Sequence, residues 1–199
     1  MGHISGEIAS APVATENSHA TAGQYADSVR LALPAESWDI ARVQRRAWSE
    51  VGDPASRALL SSIDLEGMAT AWHHAITRPP EARCRVLVAV ADGRVVGRAT
   101  PLASQDPDAD EPQDGAIDEL IVDPAAREQG HGSRLVNACV DTLRADGFSR
   151  ARHWLRSDDD VLRKFLTDAG WAPDGAHREI GSDDETIRIK QVRLHTAIA

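Results

Sequence analysis

Arg127-x-x-Gly130-x-Gly132 has the residue types and spacing of an anion cradle. It lies within the run Ile117-Asp-Glu-Leu-Ile-Val-Asp-Pro-Ala-Ala-Arg-Glu-Gln-Gly-His-Gly-Ser-Arg-Leu-Val136. Leu120, Ile121 and Val122 are a short apolar run closed by Asp123-Pro124, and helical periodicity resumes after the glycines. Glycine just before a helix lets backbone N–H groups approach an anion with no Cβ in the way. The unbonded amides of the first turn and the positive end of the helix dipole favour a phosphate there. Upstream, Asp118 and Glu119 are carboxylates that could take a proton from a substrate. Alternation places them on opposite faces of an expected strand, so only one faces a substrate.

Two familiar phosphate loops are excluded. A lysine-ended loop needs Gly-Lys-Ser/Thr, but His131 follows Gly130 and Ser133 follows Gly132. A dinucleotide turn needs a third glycine three residues after the second, where this chain has Leu135. The surviving pattern, Arg-x-x-Gly-x-Gly after a strand ending in Val-Asp-Pro, resembles the acyl-CoA motif of the GNAT superfamily of N-acetyltransferases.

Elements able to position this motif are legible on both sides. Ser28–Leu33 reads as a strand, 35–51 as an amphipathic helix through Trp38, Ile40, Val43, Ala47 and Trp48, and 64–77 as a second helix. Residues 83–91 and 94–102 form a hairpin about Asp92-Gly93. An acidic loop, 104–115, leads to a strand over 116–122 and a helix over 132–146 stopped by Gly147. A strand over 149–156, a helix over 159–169, and strands over 176–180 and 186–196 about Gly181-Ser-Asp-Asp-Glu185 complete the order β-α-α-β-β-β-α-β-α-β-β. This is an α/β chain with a mixed sheet and helices on both faces. Residues 1–27, rich in Ala, Ser, Thr and Gly, read as a disordered tail, and 28–199 as one domain.

The order also resembles the GNAT fold over about residues 28–196. In that family a bulge splays the strand before the turn from its neighbour, and the pantetheine arm of acyl-CoA pairs in the opening. By resemblance the arm falls to Leu120, Ile121 and Val122. The pyrophosphate falls to the amides of Glu128, Gln129, Gly130, His131, Gly132 and Ser133, with Arg127 and Arg134 near enough to add charge. The implied reaction is direct transfer of an acetyl group from acetyl-CoA to a primary amine, of a small molecule or a peptide, in a ternary complex. A slow or non-catalytic acyl-CoA sensor and a transferase for longer acyl chains or protein amines are the alternatives. Relatives often use an acid in this part of the strand as base, so by resemblance Glu119 is the candidate base; the alternative is that it faces solvent or pairs with an arginine. Many carry a tyrosine acid four residues before the glycine ending the penultimate helix, but here that place is Leu166, and the chain's one tyrosine is Tyr25. Ser157 is a further cofactor-contact candidate. The motif tolerates many residues at position 131, so His131 reads as a surface histidine. The C-terminal strands of this fold often pair between subunits, which allows a homodimer.

Composition narrows the partners. A formal net charge of −9 argues against nucleic acid or an anionic membrane and suits a cationic amine, as does the acidic loop. No apolar run is long enough to span a bilayer and no secretory signal is recognisable, so the expectation is a cytoplasmic protein. Cys84 and Cys139 lie among apolar neighbours and read as reduced core thiols, and no residues show metal-ligand spacing. His73-His74, His153 and His177 read as structural or exposed. Trp38, Trp48 and Trp72 either line an acceptor pocket or sit in the core.

Overall fold

In the computed structural model, residues 27–181 and 188–199 are described. The expected tail, apart from Asp27, and most of the turn before the last strand lie outside them.

Strand β1 (Ser28–Leu31) is followed, after a single 3-10 turn, by α1 (Ser37–Val51), α2 (Pro54–Ser62) and α3 (Leu65–Thr77). Helix α2 departs from expectation. Gly52-Asp53-Pro54 stops α1 but also starts the next helix: Gly52 takes φ 66°, and Asp53 accepts hydrogen bonds from the amides of Ala55 (2.8 Å) and Ser56 (3.0 Å). Pro54 sits at the first helical position, where its missing N–H costs nothing. Asp64 caps α3 in the same way, accepting from the Gly67 amide at 2.7 Å.

The hairpin forms as expected, with β2 (Leu87–Ala91) and β3 (Arg94–Ala99) joined by Asp92 and Gly93 at φ 49° and 73°. The expected strand over 94–102 is broken at Thr100, beyond which runs β4 (Pro101–Ala103). The expected strand over 116–122 is broken too, into β5 (Asp114–Ile117) and β6 (Ile121–Val122). Asp118, Glu119 and Leu120 therefore lie in the break, not in a strand with strict alternation. Then come α4 (His131–Ala145), β7 (Arg150–Arg156), α5 (Asp160–Asp168), β8 (Ala172–Gly181) and β9 (Arg188–Ala197).

The two breaks divide the strands into two sheets, β1-β2-β3-β6 and β4-β5-β7-β9-β8. Among the described residues only β5 and β7 pair in parallel; the remaining pairs are antiparallel. The Asp118 amide donates to the Thr100 carbonyl at 2.8 Å, stitching the two breaks side by side. Leu87, Ala89, Ala99, Ile117, Ala151 and Leu155 pack with Leu135, Cys139 and Leu143 of α4 and Leu166 of α5. Val86, Val88, Val90, Val95 and Ile121 face the opposite way, onto Ile40, Val43 and Ala47 of α1, with Trp72 of α3 beside them. Helices thus cover both faces, as expected. Both cysteines are free, and burial pushes the Cys139 thiol up to about 12, as befits an inert core residue.

Three acids of the acidic loop are already spoken for. Asp106, Asp108 and Asp114 are neutralised by arginines on the face of β7 and β9 turned away from α4. Arg193 donates to Asp106 (2.9 Å), Asp108 (2.7 Å) and Asp174 (2.6 Å), while Arg152 meets Asp108 (3.0 Å) and Asp114 (2.7 Å). Arg150 grips Asp114, and Trp154 donates to Asp106 at 2.8 Å. Burial works to raise the Asp106 and Asp114 carboxyls, but the bonds and charges from Trp154, Arg193, Arg150 and Arg152 outweigh it and hold both low. The hydrogen bond from Arg193 holds Asp108 far below the usual carboxylate range.

Carboxyls depressed in the fold contribute stability that is present above their unfolded pKa, about 4, and lost as the pH falls below it. Arg193→Gln should therefore cost about 3 kcal/mol near neutrality, by leaving buried Asp106 short of its counter-charge. Measured as urea midpoints across pH, the gap between wild type and variant should narrow below about pH 4. A gap independent of pH would show that the network is not electrostatic.

Candidate active site

Where β5 stops, the two strands that flank the centre of the molecule part. The parallel β5–β7 ladder has Ile117↔His153 as its last pair, β7 runs on to Arg156, and β6 pairs only with β3 through Gly97↔Val122 and Arg98↔Ile121. This leaves an opening between Leu120–Val122 and the second half of β7. The family resemblance implies a bulge that splays the strand here; the chain instead has a three-residue break, Asp118–Leu120, between β5 and β6. Gly97 permits the close approach on the other side, since a Cβ there would lie 2.8 Å from the Ile121 carbonyl oxygen.

The chain then runs from β6 into the glycine turn. Asp123 caps a short 3-10 turn by accepting from the Ala125 amide at 3.1 Å, and it is held from α1 by Arg46. Glu128 takes φ 62° and Gly130 φ 81°, so the backbone curls with its amides on the inside of the turn. The first bond of α4 is donated by the Arg134 amide to the Gly130 carbonyl, and no side chain caps the helix start. The amides of His131, Gly132 and Ser133 precede it and are available to an anion. Gly132 lies under Phe165 and Val122: a Cβ there would be 3.5 Å from the Phe165 ring and 3.8 Å from a Val122 methyl.

The two arginines of the motif differ. Arg134 places its guanidinium about the turn, with Nη1 3.2 Å from Asp27, 3.5 Å from the Gln129 carbonyl and 3.1 Å from His131 Nδ1. Arg127 is turned back towards α1, where it pairs with Glu50 at 2.5 Å. His131 is not a surface histidine; it is 2% exposed. Arg134 can only donate, so Nδ1 of His131 is the acceptor. The first helical position points inward beneath the turn, an orientation that sequence periodicity beginning at Gly132 did not include.

Glu119 sits in the break, half-buried, inside a network that sequence reasoning missed. Arg98, only 1% exposed, pairs with its carboxylate, and the Trp48 indole N–H donates to the other oxygen at 2.6 Å. Gln44 donates to Glu119 at 3.3 Å and accepts from Trp72 at 2.6 Å, while the Arg98 guanidinium stacks on Trp72 with its carbon 4.1 Å from the ring centre. Two of the three tryptophans considered for an acceptor pocket thus surround the candidate base, whereas Trp38 is 43% exposed. The missing signal was a lone arginine inside the apolar run Val95-Val-Gly-Arg98-Ala: a cation buried among valines needs a buried acid. Leu166, at the place of the usual tyrosine, is buried in the core beside α4. The backbone of Ser157 is engaged, its amide donating to the Lys190 carbonyl at 2.8 Å and its carbonyl accepting from Arg163. His73 and His74 are exposed, and no metal-holding cluster occurs among the described residues.

The family model for the acetyltransferase (GNAT) family matches residues 39–171, two-thirds of the chain. The chain belongs to the GNAT acetyltransferase family. Solved structures agree on the fold. An N-acetyltransferase from Staphylococcus aureus Mu50 has 14% identity and a TM-score of 0.68, with 87% of this chain and 99% of that one covered. The yncA protein of Salmonella typhimurium, solved with its cofactor acetyl-CoA, has 16% identity and a TM-score of 0.65, with 87% and 95% covered. PaiA N-acetyltransferase from Thermoplasma acidophilum, in complex with coenzyme A, has 13% identity and a TM-score of 0.65, with 86% and 99% covered. No curated protein sequence matches this GNAT chain. Among the described residues, no helix is long and apolar enough to cross a membrane.

Proposed function

We propose that this GNAT protein is an N-acetyltransferase that moves an acetyl group from acetyl-CoA to a primary amine by direct attack in a ternary complex. The observation carrying this reading is the break at Asp118–Leu120, which opens β6 from β7 and leads straight into a turn of available amides. The site fits the donor. Strand edges on both sides of the opening suit the amides of the pantetheine arm, and the uncapped start of α4 with Arg134 beside it suits the pyrophosphate.

Acetyl-CoA supplies an activated thioester. The protein's part is to hold that arm with Leu120, Ile121 and Val122, and to seat the phosphates on the amides from Glu128 to Ser133. Arg127 is left out of the phosphate role, because Glu50 already holds it. Glu119, at the lip of the opening, is the proposed base that draws a proton from the acceptor amine, directly or through water. Its pairing with Arg98 fixes where it points.

The buried Leu166 supplies no hydroxyl for the departing thiolate, which favours a second reading in which the protein binds acyl-CoA but transfers slowly. An amine panel separates the two. Thiol release from acetyl-CoA that depends on an added amine is the expected result, and saturable binding with no release under any amine would leave only the sensor.

A further inference from the structure

His153 is a buried side chain that nothing above employs. It is 3% exposed, and its Nδ1 lies 2.8 Å from the Ile117 carbonyl oxygen. A carbonyl only accepts, so Nδ1 carries the proton and Nε2 carries the lone pair. That Nε2 is buried and finds no hydrogen-bond partner among the described residues. Native proteins rarely leave a buried polar atom so, and an exception calls for a reason.

The position in the fold supplies one. Ile117↔His153 is the last pair before β5 and β7 part, and the ring reaches across to the Ile117 carbonyl at the root of the opening. Strand alternation puts His153 on the face of Ala151 and Leu155, which pack with α4 and Leu166. Glu119 projects the other way, towards Trp48 and Gln44 of α1. The two groups therefore flank the end of the opening from opposite faces. His153 is on the side where the tyrosine is missing.

Resting on the acetyltransferase reading, we propose that His153 Nε2 is the proton carrier at the reacting sulfur. Glu119 takes the first proton, from the ammonium form of the acceptor; as the freed amine nitrogen then bonds to the acetyl carbon and the carbon–sulfur bond breaks, the second proton it loses passes to Nε2. From there it moves to the departing thiolate, giving the amide and the free thiol with His153 neutral again. The proton count closes without any further donor.

The charge environment is consistent with that cycle. Burial lowers the imidazole below its usual range, so it starts neutral. The Ile117 carbonyl and the charges of Asp118, Glu119 and Asp159, from the break and the start of α5, all favour the protonated ring and make its brief existence tolerable. His131, the other histidine with a buried, unpartnered Nε2, has its Nδ1 occupied by Arg134 beneath the glycine turn, away from the reacting end.

The test uses the intact protein and His153→Asn, whose side-chain amide can still donate to Ile117 but has nothing at the Nε2 position. The expected result is a loss of about 100-fold in kcat with unchanged acetyl-CoA affinity by calorimetry. The limb of the kcat profile on the acid side of about pH 6.5 should vanish with it. Independently of turnover, the ring 15N resonance of His153 Nε2 in wild type should be that of an unprotonated nitrogen and should move when coenzyme A is added. A variant with wild-type kcat and pH profile would overturn the proposal, as would an Nε2 resonance indifferent to coenzyme A that calorimetry shows to be bound. Absence of coenzyme A binding to wild type would overturn the acetyltransferase reading itself, and the proposal with it.

Discussion

Gly132→Glu should remove acetyl-CoA binding while leaving a folded protein. The backbone at Gly132 is ordinary helix, and the space beside it admits a Cβ at normal contact distance from Phe165 and Val122. An acid in the first turn of α4 sits at the positive end of the helix dipole, so the helix itself is not weakened. What changes is the site: a carboxylate beside the amides of His131, Gly132 and Ser133 takes the place of the pyrophosphate and repels it. One such repulsion at about 4 Å is worth roughly 1–4 kcal/mol, and the lost amide bonds add to it, so affinity should fall at least about 100-fold. Gly132→Ala, adding only the methyl, should bind nearly as well as wild type. Isothermal titration of both variants, with thermal melts to confirm folding, checks the pair. Wild-type affinity in a folded Gly132→Glu protein would remove the phosphates from this turn.

Glu119→Gln should have two effects that can be read separately. The first is on stability. The Arg98 guanidinium is almost fully buried and has Glu119 as its anionic partner, with Trp72 stacked on it. Neutralising Glu119 strands that charge, and breaking such a pair by removing one partner costs about 3 kcal/mol or more. For a chain of this size that lowers Tm by about 6–12 °C. The second effect is on turnover: if Glu119 draws the amine proton, kcat falls by about 100-fold or more at temperatures where the variant stays folded, with acetyl-CoA affinity unchanged. A lowered Tm with unchanged kcat would keep Glu119 as the counter-ion of Arg98 and discharge it as a base.

Much of this architecture was legible because local chemistry and global fold agree. Asp92-Gly93 demanded a hairpin, the apolar stripes of α1, α3 and α4 demanded helices, and the glycines after Val122-Asp-Pro demanded a turn of free amides. The failures share a different cause. Gly52-Asp53-Pro54 ends one helix and caps another with the same residues, and a reading that treats it only as punctuation misses α2. The breaks at Thr100 and at Asp118–Leu120 leave no mark in hydrophobic periodicity, since both fall where the chain passes from one sheet to the other.

Charge partners separated by many residues were equally hidden. Asp106 and Asp108 read only as part of an acidic loop until Arg152 and Arg193 are brought over them, and nothing in the sequence singles out Arg98 as the arginine that pairs with Glu119. The candidate cofactor turn is one contiguous stretch and could be read directly. The proton-handling groups, Glu119, Arg98 and His153, come from the break and two different strands, so only the fold assembles them.

Calorimetric titration of the purified protein with acetyl-CoA tests the central claim most directly. The account predicts saturable one-to-one binding that weakens as salt is raised, because the phosphates are held by amides and by Arg134. No heat of binding at acetyl-CoA concentrations of about 1 mM, where a ligand with a Kd near 1 mM (about −4 kcal/mol) would register, would contradict it.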